Sequence, residues 1–214
     1  MAAVLLLSGC GTVEEEGAFV SERTAREVMG SARSLEERGD TIRAAEVYEG
    51  LAFGFATQHF AGRALLRAAL CREEAALSAS GPERAVQSDR ALELWRWVEA
   101  RQPGSQWAAW ARYRQGALLA GALGGPRRCG EALVPLAEAT RDAALEQEAR
   151  ARARWLRARC LDALGRREEA LQELGSLLEA PEEWTEEGTE VPLRVRARSL
   201  AGAAGASGSG SDSL

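Results

Sequence analysis

Lysine is missing from this 214-residue chain, so all 27 of its basic residues are arginine. A GC-rich coding sequence accounts for that bias, which assigns no function by itself. Histidine occurs once, as His59 at an expected helix start, where an exposed or capping role suits it. A metal site or a Cys–His nucleophile therefore has little to draw on. The four cysteines, Cys10, Cys71, Cys129 and Cys160, are too widely spaced for the close pairs of a zinc site. No apolar run approaches the roughly 20 residues that a bilayer-spanning helix needs. A net charge of −5 argues against nucleic acid as the main ligand, which calls for a basic face. The glycines between Gly121 and Gly125 lack a following Lys-Ser/Thr and a preceding strand, which excludes a phosphate loop. Acidic pairs such as Glu73-Glu74 and Glu168-Glu169 have no histidine beside them and read as solvated helix faces. No catalytic arrangement emerges, so neither enzymatic activity nor a cofactor is expected.

What is abundant is Ala, Leu, Arg and Glu, while aromatics make up only 6%. These side chains lose little freedom in a helix, and the composition is helical. Apolar periodicity close to 3.6 predicts eight helices, over 20–38, 41–57, 59–79, 83–101, 105–123, 129–140, 144–164 and 167–180. Gly- or Pro-bearing breaks such as Gly39-Asp40, Ser80-Gly81-Pro82, Gln102-Pro103-Gly104 and Gly165-Arg166 separate many of them. Short connections require neighbouring helices to pair as antiparallel hairpins. Residues 181–200 form an acidic linker, Glu182 to Glu190, with a short capping helix expected over 191–200; residues 201–214 are expected to be disordered.

A small–large–apolar triplet recurs in the second helix of each expected hairpin: Ala44, Tyr48 and Leu51; Ala91, Trp95 and Val98; Ala132, Leu136 and Ala139; Ala170, Leu174 and Leu177. In a helix each triplet falls on one face, the small residue admitting a neighbour and the large one filling the gap. This pattern over about residues 20–180 resembles the tetratricopeptide repeat, most clearly around Ala32–Tyr48 and Ala158–Leu174. The anchor alanines are 47, 41 and 38 residues apart, against a family period of about 34. The resemblance implies an all-α, right-handed superhelix of about four antiparallel helix hairpins. The joint Pro103-Gly104-Ser105-Gln106-Trp107-Ala108 is similar to that of bacterial envelope lipoproteins of the BamD and secretin-pilotin types, with Pro103 ending one helix and Ser105 capping the next.

The family register, with Gly116 and Ala158 at the small central positions, implies that Trp110, Tyr113, Arg152, Trp155 and Arg159 face a concave partner-binding strip. Trp, Tyr and Arg are the residue types most enriched at interface hot spots; the alternative is that these rings belong to the core. An acidic, apolar segment suits such a strip, and the linker Glu182–Glu190 is itself a candidate occupant. Because helices 129–140 and 144–164 run antiparallel, Cys129 and Cys160 approach each other, as a disulfide or as two buried thiols.

At the N-terminus, Val4-Leu5-Leu6-Leu7-Ser8-Gly9-Cys10 resembles a bacterial lipobox, with 1–10 as signal and 11–19 as a polar tether. No Lys or Arg precedes the apolar run, so a charged n-region is expected upstream of Met1. The resemblance implies acylation of Cys10, and Gly11 in place of Asp implies sorting to the outer membrane, facing the periplasm. Function is then expected to be that of a lipid-anchored scaffold binding another envelope protein. The alternative is a soluble cytoplasmic interaction adaptor with a free thiol at Cys10.

Overall fold

The same closing turn recurs at three helix ends. After Glu37, the Gly39 N–H bonds to the Glu36 carbonyl and the Asp40 N–H to that of Leu35; Gly165 and Arg166 repeat this with Asp162 and Leu161, and Gly121 and Ala122 with Leu118 and Ala117. This double bond pattern satisfies carbonyls that a helix end leaves orphaned, and it demands a left-handed residue. Gly39 at φ 78° and Gly165 at φ 74° supply it without the steric penalty of a Cβ.

The computed structural model describes residues 22–54, 58–125, 127–186 and 189–206. Among them the chain is all-helical: α1 (Glu22–Glu37), α2 (Thr41–Gly54), α3 (Gln58–Ser78), α4 (Gly81–Arg101), α5 (Gln106–Leu119), α6 (Cys129–Arg141), α7 (Gln147–Ala163), α8 (Arg167–Gly175) and α9 (Leu193–Ala206). All eight expected helices are present, with ends displaced by a few residues. The expected capping helix is α9, which extends beyond its expected end at residue 200. Residues 201–206 are therefore helical rather than part of a disordered tail. The alanines of that stretch favour helix, and Leu193 and Ala197, both fully buried, seat α9 on the array. Residues 207–214 lie outside the described residues, as do the lipobox and tether.

Each helix packs against its sequence neighbours, and no described helix contacts one more than two places away along the chain. The core is correspondingly drawn out along the chain and rich in alanine. All twelve triplet residues are at most 2% exposed. Alanine at the anchor positions lets helices approach closely, and Tyr48, Trp95, Leu136 and Leu174 fill the intervening space; burying such a side chain contributes about 1.5–3 kcal/mol. Gly116 shows the same principle at its limit, since a Cβ there would lie 2.5 Å from Leu136 Cδ2 and 3.3 Å from its backbone nitrogen. At the α4–α5 joint, α4 ends at Arg101 before Pro103, and the Ser105 hydroxyl accepts the Ala108 N–H at 3.1 Å.

Candidate partner-binding surfaces

Arg152, Trp155 and Arg159 occupy one face of α7, and the chain itself covers them. Beyond α8 the backbone crosses this face as a strap, Pro181–Glu186, before entering α9. Arg152 Nε donates to the Thr185 carbonyl at 2.8 Å, and Arg159 Nη1 donates to Glu186 Oε1 at 2.6 Å. Arg196 from α9 grips the other oxygen of Glu186, which is only 9% exposed. Trp184 packs on the core while its carbonyl accepts the Leu193 N–H at 2.8 Å, next to the Thr185–Pro192 bridge. Residues 181–186 of the acidic linker thus cover the strip on α7.

The five expected binding residues do not form an open surface. Trp155 is 5% exposed and Tyr113 1%. Tyr113 faces the core and meets the half-buried Trp110 edge-to-face, with centroids 5.5 Å apart. The correction has a physical basis. Large rings at the central positions of α5 and α7 bury more area between helices and under the strap than on a wet face. Arg159 also lies over the Trp155 ring at 5.8 Å, whereas Trp155 Nε1 is buried without a hydrogen-bond acceptor among the described residues.

Cys129 and Cys160 do meet, as the antiparallel argument requires, but as buried free thiols and not as a disulfide. Burial first, then the hydrogen bond with Cys129, pushes the Cys160 thiol up to about 12. His59 lies in the first turn of α3, with its side chain outside the described residues. Glu73, expected on a wet face, is 2% exposed and buried with Trp95 and Arg114.

An open surface lies in the other half of the array. A groove of about 1290 Å³ is lined by α1, α3 and the α4–α5 joint, with contributions from Arg33, Arg63, Arg67, Arg101, Met29, Leu66 and Trp107. Among the described residues no carboxylate lines it. Arg67 is engaged by Glu36, which also accepts the Tyr48 hydroxyl at 3.1 Å; the Glu36 hydrogen bond holds Arg67 above its ordinary pKa. Arg101 reaches the Ala52 carbonyl and lies 5.8 Å from the Phe53 ring and 5.9 Å from that of Trp97. Arg33 and Arg63 are exposed and have no hydrogen-bond or ion-pair partner among the described residues. Phe53 and Trp97, beside Arg101, and Trp107, in the groove lining, are each more than 40% exposed. Gly62 leaves room for the Gln102 side chain, since a Cβ there would lie 2.5 Å from Gln102 Nε2.

Sequence reasoning missed this groove, although a signal was present. Arg26, Met29 and Arg33 in α1 repeat the spacing of Arg152, Trp155 and Arg159 in α7, with Arg63 and Leu66 as the matching pair in α3. Ranking helices by their aromatics led to α5 and α7, where the rings are core. Among the described residues no cluster of metal-ligating side chains occurs, and no helix is long and apolar enough to cross a membrane. Comparison with protein-family models, with curated proteins and with solved structures gives no match.

Proposed function

We propose that the protein is a lipid-anchored scaffold of the outer membrane, facing the periplasm, that holds a segment of another envelope protein in the α1–α3 groove. The observation that carries this reading is the groove itself, with Arg33 and Arg63 unpaired among the described residues, its apolar Met29 and Leu66, and the exposed ring of Trp107. Rigid, amphipathic side chains of this kind give contact area at low entropic cost and are typical interface anchors. The recurring small–large–apolar triplets and the neighbour-only packing support a tetratricopeptide-like superhelix of about four hairpins, a form suited to holding an extended segment.

The lipobox-like Leu7-Ser8-Gly9-Cys10 supports anchoring through Cys10. More than one acyl chain gives a stable attachment, and confinement at the membrane raises the effective concentration of the groove for a membrane-bound partner. Growth with a fatty-acid analogue tests the anchor: the wild-type chain takes up label and Cys10→Ser does not. An unlabelled chain of full-length mass would favour a soluble adaptor instead. A photo-crosslinker at position 63 tests the groove, and capture of the same envelope protein in independent membranes, lost on Arg33→Glu, is the expected result.

A further inference from the structure

The strap on α7 is a worked example of how this protein's own arginine-bearing helix faces take a ligand. Glu186 and the Thr185 carbonyl satisfy two guanidinium groups while Trp184 packs apolar surface beside them. The α1 face carries the same Arg–x–x–apolar–x–x–x–Arg spacing, with Met29 where α7 has Trp155. It differs in one respect that matters. No described segment covers it, and Arg33 and the neighbouring Arg63 lack the carboxylate that Arg159 has found.

We propose that the α1–α3 groove binds an extended acidic segment bearing an aromatic residue, a mimic of Trp184-Thr185-Glu186 supplied by the partner protein. This rests on the reading of the array as a protein-binding scaffold and specifies the chemistry of its partner. The carboxylate pairs with Arg33 or Arg63, preferably in the bidentate geometry that guanidinium offers. The aromatic ring lies on Met29 and Leu66, against Trp107. Among the described residues no carboxylate in the lining competes for Arg33 and Arg63. A basic or purely apolar segment leaves those guanidinium groups unpaired on closing, which selects against it.

The test is fluorescence anisotropy with a labelled peptide of residues 180–190, Ala-Pro-Glu-Glu-Trp-Thr-Glu-Glu-Gly-Thr-Glu, titrated with the full chain. Binding is expected, weakened about tenfold or more by the double variant Arg33→Glu/Arg63→Glu and by replacing the peptide tryptophan with alanine. The double variant alters exposed side chains, so an unchanged melting temperature confirms that it folds. A benzophenone at the peptide's tryptophan position should cross-link to α1 or α3. Absence of binding, affinity indifferent to the double variant, or cross-links confined to α7 would each overturn the proposal. If the peptide fails while a crosslinker at position 63 still captures an envelope protein, the scaffold reading stands and only the acidic-aromatic chemistry falls.

Discussion

Trp95 donates its indole N–H to Glu73 at 2.6 Å, tying α4 to α3 through a carboxylate that is only 2% exposed. Arg114 of α5 holds the same carboxylate, its Nε lying 3.0 Å from Oε2. One buried acid thus joins three consecutive helices at the centre of the array. Removing it takes this acceptor from a buried guanidinium and from an indole N–H. Glu73→Ala is expected to lower the unfolding free energy by about 3–5 kcal/mol, while Glu73→Leu/Arg114→Met loses much less because no charge is stranded. Urea denaturation of the three chains measures this, and equal losses would show that packing rather than charge dominates the site.

Burial by itself raises the Glu49 carboxyl, but hydrogen bonds from Arg90 and Arg72 outweigh it and carry the pKa below its ordinary value of 4.5. The folded state therefore binds this proton more weakly than the unfolded one. Its stabilisation is complete above about 4.5 and is lost as the pH falls through the folded value. At pH 7 Glu49→Gln is expected to be less stable than the wild type by about 1–3 kcal/mol. Urea midpoints should converge as the pH falls through the folded value; a gap that is constant with pH would remove the titration from the account.

The helical plan was legible because it is written in periodicity and punctuation. Ala44, Tyr48 and Leu51 lie at helical spacing, and Gly39 marks the turn before them. The interior electrostatics were not legible. Glu73 and Glu74 are adjacent and chemically alike, yet one is buried and the other exposed. Only the rotation of α3 against α4 and α5 separates them, and that is set by long-range packing. The site failed for a related reason. Sequence distinguishes a ring from a methionine but not an open face from a strapped one, and the strap comes from residues well downstream of α7.

Cys71 is pushed up to about 12, first by burial and then by Glu36, and Cys160 to about 12 as well. The thiolate is the reacting species, so neither sulfur should react while the fold is closed. In a Cys10→Ser chain at pH 8, iodoacetamide is expected to leave Cys71 and Cys160 unmodified over hours and to alkylate both within minutes in denaturant. Peptide mapping reads the sites directly. Rapid native labelling of Cys160 would mean that the contact between α6 and α7 opens far more readily than its packing implies.

The strap offers the sharpest separation of binding from stability. Glu186 receives Arg159 from α7 and Arg196 from α9, so its loss releases both helices from the segment between them. Hydrogen bonds to charged groups are worth about 1.5–3 kcal/mol each, enough to change a local opening equilibrium about tenfold or more. The Leu193 N–H, bonded to the Trp184 carbonyl, reports that opening through its exchange rate. Glu186→Ala is expected to speed exchange at Leu193 about tenfold or more. The Tyr48 and Trp95 regions should stay protected, because neither touches the strap. Trp184→Ala should have the same effect through lost packing, whereas Glu190→Ala, at an exposed position, should have none. If Leu193 stays protected in both strap variants, α9 is held by Leu193 and Ala197 alone, and the acidic segment only lies over α7 without holding it.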